Sequence, residues 1–176
     1  LVSHPKDFTQ VCTTELSRLA SLQNEFKKRN VKPFAISVDS LEDHQSWSQD
    51  IEHYSKCKVN FPLIADPHAT LAAKLGLLDV ESNDTLTVRA VVIISPQKKV
   101  KTTICYPASS GRNFDEILRI IDSLQLTEKY QNLVTPVDWK VGQDLIVKPE
   151  SDSPAGTQVV QLPSSKEYLR FIPQPN

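Results

Sequence analysis

The chain opens Leu1-Val2-Ser3-His4-Pro5-Lys6-Asp7-Phe8-Thr9-Gln10-Val11-Cys12-Thr13-Thr14-Glu15-Leu16, and the reading of this stretch decides the fold. A short apolar strand ends near His4, a loop containing proline follows, and a cysteine enters the first turn of a helix. From Thr13 to Asn30 the apolar residues Leu16, Leu19, Leu22 and Phe26 recur every three or four positions, an amphipathic helix that closes on Lys-Lys-Arg-Asn. Strand, loop and helix in that order begin an α/β layer. The chain holds no methionine, and Leu1-Val2-Ser3 reads as the end of a strand whose beginning lies outside it.

Working outward, Val31–Val38 reads as a strand despite Pro33. Ser40 with Asp43 resembles a capping box and opens a helix over Leu41–Tyr54. Phe61–Ile64 is a short strand candidate, and Asp66-Pro67 precedes a helix that runs through Leu75. Leu86–Ser95 and Val100–Tyr106 read as two strands joined at Pro96-Gln97-Lys98-Lys99. Asn113–Leu124 is a third long helix with an asparagine cap. After Leu126 the pattern changes, because six of the twelve prolines fall there and exclude long helices. Gln143–Val147, Thr157–Leu162 and Glu167–Ile172 are short strand candidates. The expected architecture is a main α/β domain over residues 1–126, a central sheet flanked by helices, and a small β-rich domain over 127–176.

Composition narrows the function classes. The chain is 39 % hydrophobic and 23 % charged with a net charge of −1, as in a soluble globular protein and against a nucleic-acid surface. Its basic clusters, Lys27-Lys28-Arg29 and Lys98-Lys99-Val100-Lys101, read as solvated edges. No apolar run approaches the ~20 residues of a spanning helix, so membrane contact is at most peripheral, and no secretory signal is visible. Cys12, Cys57 and Cys105 are odd in number and far apart. That is a poor disulfide framework and fits a reducing compartment, the cytoplasm first. The four histidines show no ligand spacing, and no metal site is expected.

At the start of a helix, unpaired N–H groups and the positive end of the dipole favour a thiolate at Cys12, and the thiolate is the nucleophile. Thr9 can direct its hydroxyl toward the sulfur, and Pro5 would shield it from water. Position alone leaves a second reading open, a small buried hydrophobe. Arg89 interrupts the apolar strand Leu86–Ile94 on the face of Val91 and Ile93, so its charge needs a partner unless it reaches solvent at the strand end.

Pro5, Thr9 and Cys12 carry the peroxiredoxin signature: proline, three residues, threonine, two residues, cysteine. With His4 and Cys12-Thr13-Thr14-Glu15-Leu16, the segment resembles the one-cysteine, peroxiredoxin-6-like subfamily of the AhpC/TSA peroxiredoxins. Ser37-Val38-Asp39-Ser40, Tyr106-Pro107-Ala108, Gly111–Arg119, Thr135–Trp139 and Tyr168-Leu169-Arg170 extend the resemblance over nearly the whole chain. It implies a thioredoxin-like fold, with the family's first strands absent here, and reduction of hydrogen peroxide and organic or lipid hydroperoxides through a sulfenic acid on Cys12. It places Arg89 beside Cys12, with Glu15 as tether, and lets Thr9 face a bound peroxide oxygen. It brings His4 and Arg112 to the same pocket, although a loop histidine and a surface arginine at a helix start are the plainer readings. It implies no cofactor beyond an external thiol, glutathione, delivered by a glutathione S-transferase, and a homodimer.

Two features depart from the pattern: Gln10 stands where proline is usual, and the Val80–Leu86 loop is shorter. Some relatives also hydrolyse phospholipids with a serine, a histidine and an aspartate. Two of those positions would precede Leu1, and the aspartate falls at Gln97, whose amide lacks a carboxylate's charge. A catalytically inactive truncated form is the remaining alternative.

Overall fold

The run Ala90-Val91-Val92-Ile93-Ile94 has apolar residues on both alternating faces, which suits a strand covered on two sides. The computed structural model describes residues 1–79 and 85–175 and places that run at the interior of a sheet. The chain divides into two compact units, Leu1–Phe114 and Asp115–Asn176. The first runs β1 (Val2–Ser3), α1 (Gln10–Ser21), α2 (Gln23–Lys28), β2 (Ala35–Ser37), α3 (Leu41–Ser55), β3 (Leu63–Ala65), α4 (Thr70–Lys74), β4 (Arg89–Ile94) and β5 (Val100–Tyr106).

Its five strands lie in the order β3-β2-β1-β4-β5. β1, β2 and β3 are parallel, whereas β4 runs antiparallel to both β1 and β5. Three parallel strands and an antiparallel hairpin give the thioredoxin-like order. Ser3 fastens β1 to β4, since its hydroxyl donates to the Val88 carbonyl at 2.5 Å and accepts the Ala90 N–H at 3.0 Å. On one side of the sheet Ile36, Ala69, Ala72, Leu77, Ala90 and Val92 form a buried cluster. Arg89 through Val92 are all buried, so the arginine expected on one face sits in a strand covered on both.

Several boundaries differ from the sequence reading. The Thr13–Asn30 helix begins at Gln10 and is two helices. At Leu22 the N–H is shared between the carbonyls of Arg18 and Leu19, which tightens the turn and breaks the axis although the apolar period continues. Asn30 then adopts a left-handed φ of 53°, a conformation asparagine tolerates at helix ends. The Val31–Val38 strand shrinks to Ala35–Ser37, because Pro33 offers no N–H to a ladder. The Ser40 cap forms as expected, its hydroxyl oxygen accepting the Asp43 N–H at 3.1 Å. Residues 80–84 of the loop read as shortened lie outside the described residues.

α5 (Phe114–Lys129) starts at the last residue of the first unit, and β6 (Leu133–Val134), β7 (Leu145–Val147), β8 (Gln158–Val159) and β9 (Arg170–Ile172) follow. These strands form an antiparallel sheet in the order β6-β7-β9-β8. Leu133, Trp139, Leu145, Val147 and Ile172 make its core, with Leu126 and Tyr130 against it. The division by packing falls after the first residue of α5 and the change of composition at Leu126 falls near its other end, so the two boundaries differ by most of that helix. Arg170 ties the 148–153 turn, donating to the carbonyls of Lys148, Pro149 and Ser151 at 2.5, 3.0 and 3.1 Å.

Candidate active site

Thr9 has extended backbone (φ −110°, ψ 151°), and α1 follows it with Cys12 third in line. The first bond of the helical ladder is Thr13 N–H to the Thr9 carbonyl at 2.9 Å. The N–H groups of Gln10, Val11 and Cys12 therefore precede the ladder at the positive end of the helix. The Thr9 side chain makes no capping bond. Its hydroxyl donates to the Lys6 carbonyl at 2.9 Å instead, so the expected turn toward the sulfur is not the arrangement seen here. Cys12 itself is wholly buried.

Three charged side chains, all nearly inaccessible, meet at Cys12. Arg89 Nη1 lies 3.6 Å from Cys12 Sγ and also donates to Glu15 Oε2, while its Nη2 donates to the Ala108 carbonyl at 2.9 Å. Arg112 grips the same carboxylate from the other side, with Nη2 to Oε2 at 2.6 Å, Nε to Oε1 at 3.1 Å and its backbone N–H to Oε1 at 2.7 Å. Its Nη1 reaches the carbonyls of Ser3 and Ala90 at 2.6 and 3.0 Å. Burial pushes the Arg112 guanidinium below its ordinary value, and the Glu15 hydrogen bond, Glu15's charge and Cys12 oppose that shift. Two guanidiniums against one carboxylate leave one positive charge, which a thiolate on Cys12 balances. Arg89 Nε has no hydrogen-bond partner among the described residues.

A second buried cluster lies in the preceding loop. Asp7 Oδ1 is 2.7 Å from His4 Nε2, and Asp7 Oδ2 is 2.5 Å from His44 Nδ1 on α3. The Asp7 N–H donates to Asp39 Oδ2 at 3.0 Å, and Ser37 donates to the same oxygen at 2.6 Å. Burial pushes His4 down, only partly offset by Asp7. Burial opposes charge on His44 too, but the Asp7 hydrogen bond and charge outweigh it and His44 is raised. Burial would raise Asp7, yet the two imidazoles hold it below the usual carboxylate range. His4, Asp7 and Asp39 present atoms within 4.8 Å of one another, a spacing a metal ion could use. Both Asp7 oxygens are already engaged by imidazoles.

Of the residues singled out from sequence, Cys12, Arg89, Glu15 and Arg112 are brought together. His4 packs its ring 5.1 Å from Trp47, whose indole N–H donates to Thr13 beside Cys12 at 3.1 Å. Pro5 is half-buried between the buried His4 and Asp7, and Thr9 lines a cavity of about 340 Å³ with Phe8, Thr13, Trp47 and Tyr54. Gln97 lies in the exposed turn between β4 and β5. Sequence reasoning missed Asp7 and His44. Asp7 had a local signal, three residues from His4, whereas His44 lies 37 positions from Asp7 and had none.

A thioredoxin-like sheet, a cysteine at a helix start and a buried excess of positive charge define a protein that works through a reactive thiol. The model of the AhpC/TSA family matches residues 1–103, and that of the C-terminal domain of 1-Cys peroxiredoxin matches residues 123–160. Peroxiredoxin-6 of Gallus gallus is 52 % identical over 190 residues, covering 99 % of this chain and 84 % of its own. A cysteine mutant of peroxiredoxin 6 from Arenicola marina superposes with a TM-score of 0.93 at 46 % identity, over 99 % of this chain and 84 % of that one. A yeast mitochondrial 1-Cys peroxiredoxin, with a thiol-resolving mechanism via glutathione/thioredoxin systems, gives 0.87 at 40 % identity over 98 % and 84 %. The chain belongs to the AhpC/TSA peroxiredoxin family, in its one-cysteine, peroxiredoxin-6-like branch. It is a thiol-dependent peroxidase, and the matches favour neither phospholipid hydrolysis nor an inactive form. Peroxiredoxins need no prosthetic group.

Proposed function

We propose that Cys12 is the peroxidatic nucleophile, and the observation that carries this reading is Arg89 Nη1 at 3.6 Å from Cys12 Sγ inside the Glu15-braced pair of arginines. The thiolate attacks the terminal oxygen of a hydroperoxide. An S–O bond forms, the O–O bond breaks, and the departing oxygen takes a proton to leave as water or alcohol. Arg89 stabilises the charge that develops on that oxygen. Cys12 becomes a sulfenic acid, the first rung of its oxidation ladder. Substrates include hydrogen peroxide and organic or lipid hydroperoxides.

An external thiol, glutathione, resolves the sulfenic acid, and a glutathione S-transferase delivers it. Support comes from the placement of the other thiols: Cys57 lies beyond α3, and Cys105 is exposed on the outer strand β5. The working form is a homodimer, consistent with the open edge of β5. We place it in the cytoplasm, where free thiols persist. Mass spectrometry after one equivalent of peroxide tests the cycle. Sulfenic or sulfinic Cys12 alone is expected, with a glutathione adduct at Cys12 once that thiol is added. A dominant Cys12–Cys57 or Cys12–Cys105 disulfide sinks the one-cysteine cycle.

Arg89→Ala is expected to slow Cys12 oxidation by more than roughly tenfold, which corresponds to about 1.4 kcal/mol of lost transition-state stabilisation. Arg89→Lys recovers only part, because an ammonium lacks the guanidinium fork that serves Cys12, Glu15 and Ala108 together. Stopped-flow oxidation rates measure both. An unchanged rate in Arg89→Ala would show the arginine to be structural.

A further inference from the structure

The cavity beside Thr9 plays no part in the bond changes at Cys12 described above. It holds about 340 Å³ between the start of α1 and the second half of α3. Trp47 is wholly buried, whereas Phe8 and Tyr54 are 52 % and 63 % exposed, so the indole forms the floor and the other two rings the rim. Phe8 sits with its ring centroid 6.4 Å from that of Trp47. Its φ of 54° is left-handed, a conformation that a bulky residue rarely adopts. A strained backbone thus holds an aromatic ring at the rim, half in water.

The chemistry of the walls selects the occupant. No lysine or arginine is among the described residues that line the cavity, and its one charged group at neutral pH is the exposed carboxylate of Asp50. That carboxylate repels an anion, and no cation is present to hold a phosphate or the two carboxylates of glutathione. Three aromatic rings and threonine methyls favour an uncharged, apolar group instead. The volume is near the small end of ligand sites, which run from about 300 to 1,000 Å³. It admits a short alkyl segment and is too small for a whole phospholipid.

The wall of the cavity is the helical turn that carries the sulfur. Thr13 follows Cys12 directly, and its hydroxyl accepts the Trp47 N–H at 3.1 Å. Thr9 and Thr13 both line the cavity and are joined across that turn at 2.9 Å. Consecutive helical side chains diverge by about 100°, so Cys12 Sγ faces Arg89 while Thr13 faces the cavity. α1 begins at Gln10, two residues before Cys12. No earlier helical turn therefore stands between the two faces, and a bent alkyl chain passes from one to the other over the helix end.

We propose that this cavity is the subsite for the apolar tail of an alkyl hydroperoxide, so that Phe8, Trp47 and Tyr54 set the enzyme's preference for such substrates over hydrogen peroxide. The inference rests on Cys12 being the peroxidatic cysteine. The bonds made and broken at Cys12 are unchanged. A tail in the cavity binds the ground state and the transition state alike, which raises the second-order rate constant of oxidation. Each methylene fully withdrawn from water raises it by about fourfold, and a half-covered one by roughly twofold. Hydrogen peroxide has no tail and gains nothing from the cavity.

The experiment is stopped-flow oxidation of the full chain by hydrogen peroxide and by methyl, n-butyl and n-octyl hydroperoxide. The proteins are wild type, Phe8→Ser, Tyr54→Ser, Tyr54→Phe and Thr14→Trp. Each rate constant is divided by that for hydrogen peroxide on the same protein, so a general loss of reactivity cancels. In wild type the ratio should climb by roughly tenfold or more from methyl to octyl. Phe8→Ser and Tyr54→Ser should each lower the octyl ratio by roughly fivefold, and Tyr54→Phe, which keeps the ring, should preserve it. Thr14 is exposed on the cavity wall, and Thr14→Trp adds apolar surface while filling the space. It should lower the octyl ratio, whereas a merely greasier surface would raise it. A wild-type ratio that is flat with chain length overturns the proposal, as does an octyl ratio within roughly twofold of wild type in both Tyr54→Ser and Thr14→Trp. A change of mass in solution for Tyr54→Ser with its ratios unaltered assigns the rim to a contact between copies, and also overturns it. If Phe8→Ser does not fold, Tyr54→Ser and Thr14→Trp decide by the same criteria. Wild-type protein that reduces no peroxide, or a Cys12→Ser variant that still does, fails the reading beneath the proposal instead.

Discussion

Cys12→Ser is expected to abolish peroxide reduction, while Cys57→Ser and Cys105→Ser keep most of it. A serine hydroxyl in the same pocket does not ionise near neutrality and lacks sulfur's nucleophilicity, so the one positive charge left over by the Glu15 pairing has no anion to activate. The other two thiols have different surroundings. Cys57 is half-buried in a turn where its backbone, not its sulfur, bonds to Ser55. Cys105 is exposed on β5 opposite Ala90. Consumption of hydrogen peroxide in single turnover separates the three variants. Loss in either control as deep as in Cys12→Ser would move the chemistry elsewhere.

Glu15→Gln is expected to damage both stability and rate, because Glu15 is the only carboxylate hydrogen-bonded to Arg89 or Arg112 among the described residues. The amide keeps the size of the side chain but removes the negative charge and replaces one acceptor with a donor. Two nearly inaccessible guanidiniums then face one another without Glu15's counter-charge. Breaking such a pair by removing one partner costs about 3–5 kcal/mol, and a melting temperature lower by on the order of 10 °C should follow. The rate of Cys12 oxidation should fall as well, since Arg89 loses the contact that aims Nη1 at the sulfur. A melting temperature within roughly 2 °C of wild type would show that the arginines find other partners.

Much of this site was legible because its residues violate their local context. Arg89 stood out as a charge in an apolar strand, and Glu15 as a carboxylate one helical turn beyond Cys12. The alternation of strands and helices announced a central sheet flanked by helices and the hairpin of β4 and β5, while the order of the strands in that sheet had no local signal. The break at Leu22 was hidden, since Leu16, Leu19, Leu22 and Phe26 keep their period across it and the deviation lies in the backbone alone. β6 was invisible because two residues carry no alternation. The pairing of Asp7 with His44 depends on packing α3 against α1, and no spacing in the chain encodes it.

The full burial of Cys12 sets unequal terms for the two halves of a catalytic cycle. A peroxide needs only a small local displacement to reach the sulfur, whereas a tripeptide thiol must bring its own sulfur into bonding distance and needs a wider opening. Reduction is therefore expected to draw on a less populated conformation in which the start of α1 has opened. The apparent rate constant for the thiol is the intrinsic one multiplied by the population of that open form. Thr9 makes the opening easier: its hydroxyl is spent on Lys6, so the first turn lacks a cap interaction that typically stabilises a helix by about 1 kcal/mol. At rising glutathione the recycling rate should level off at the speed of opening, while oxidation stays linear in peroxide. The helix end that concentrates reactivity at Cys12 thus also acts as the valve through which the enzyme is recharged.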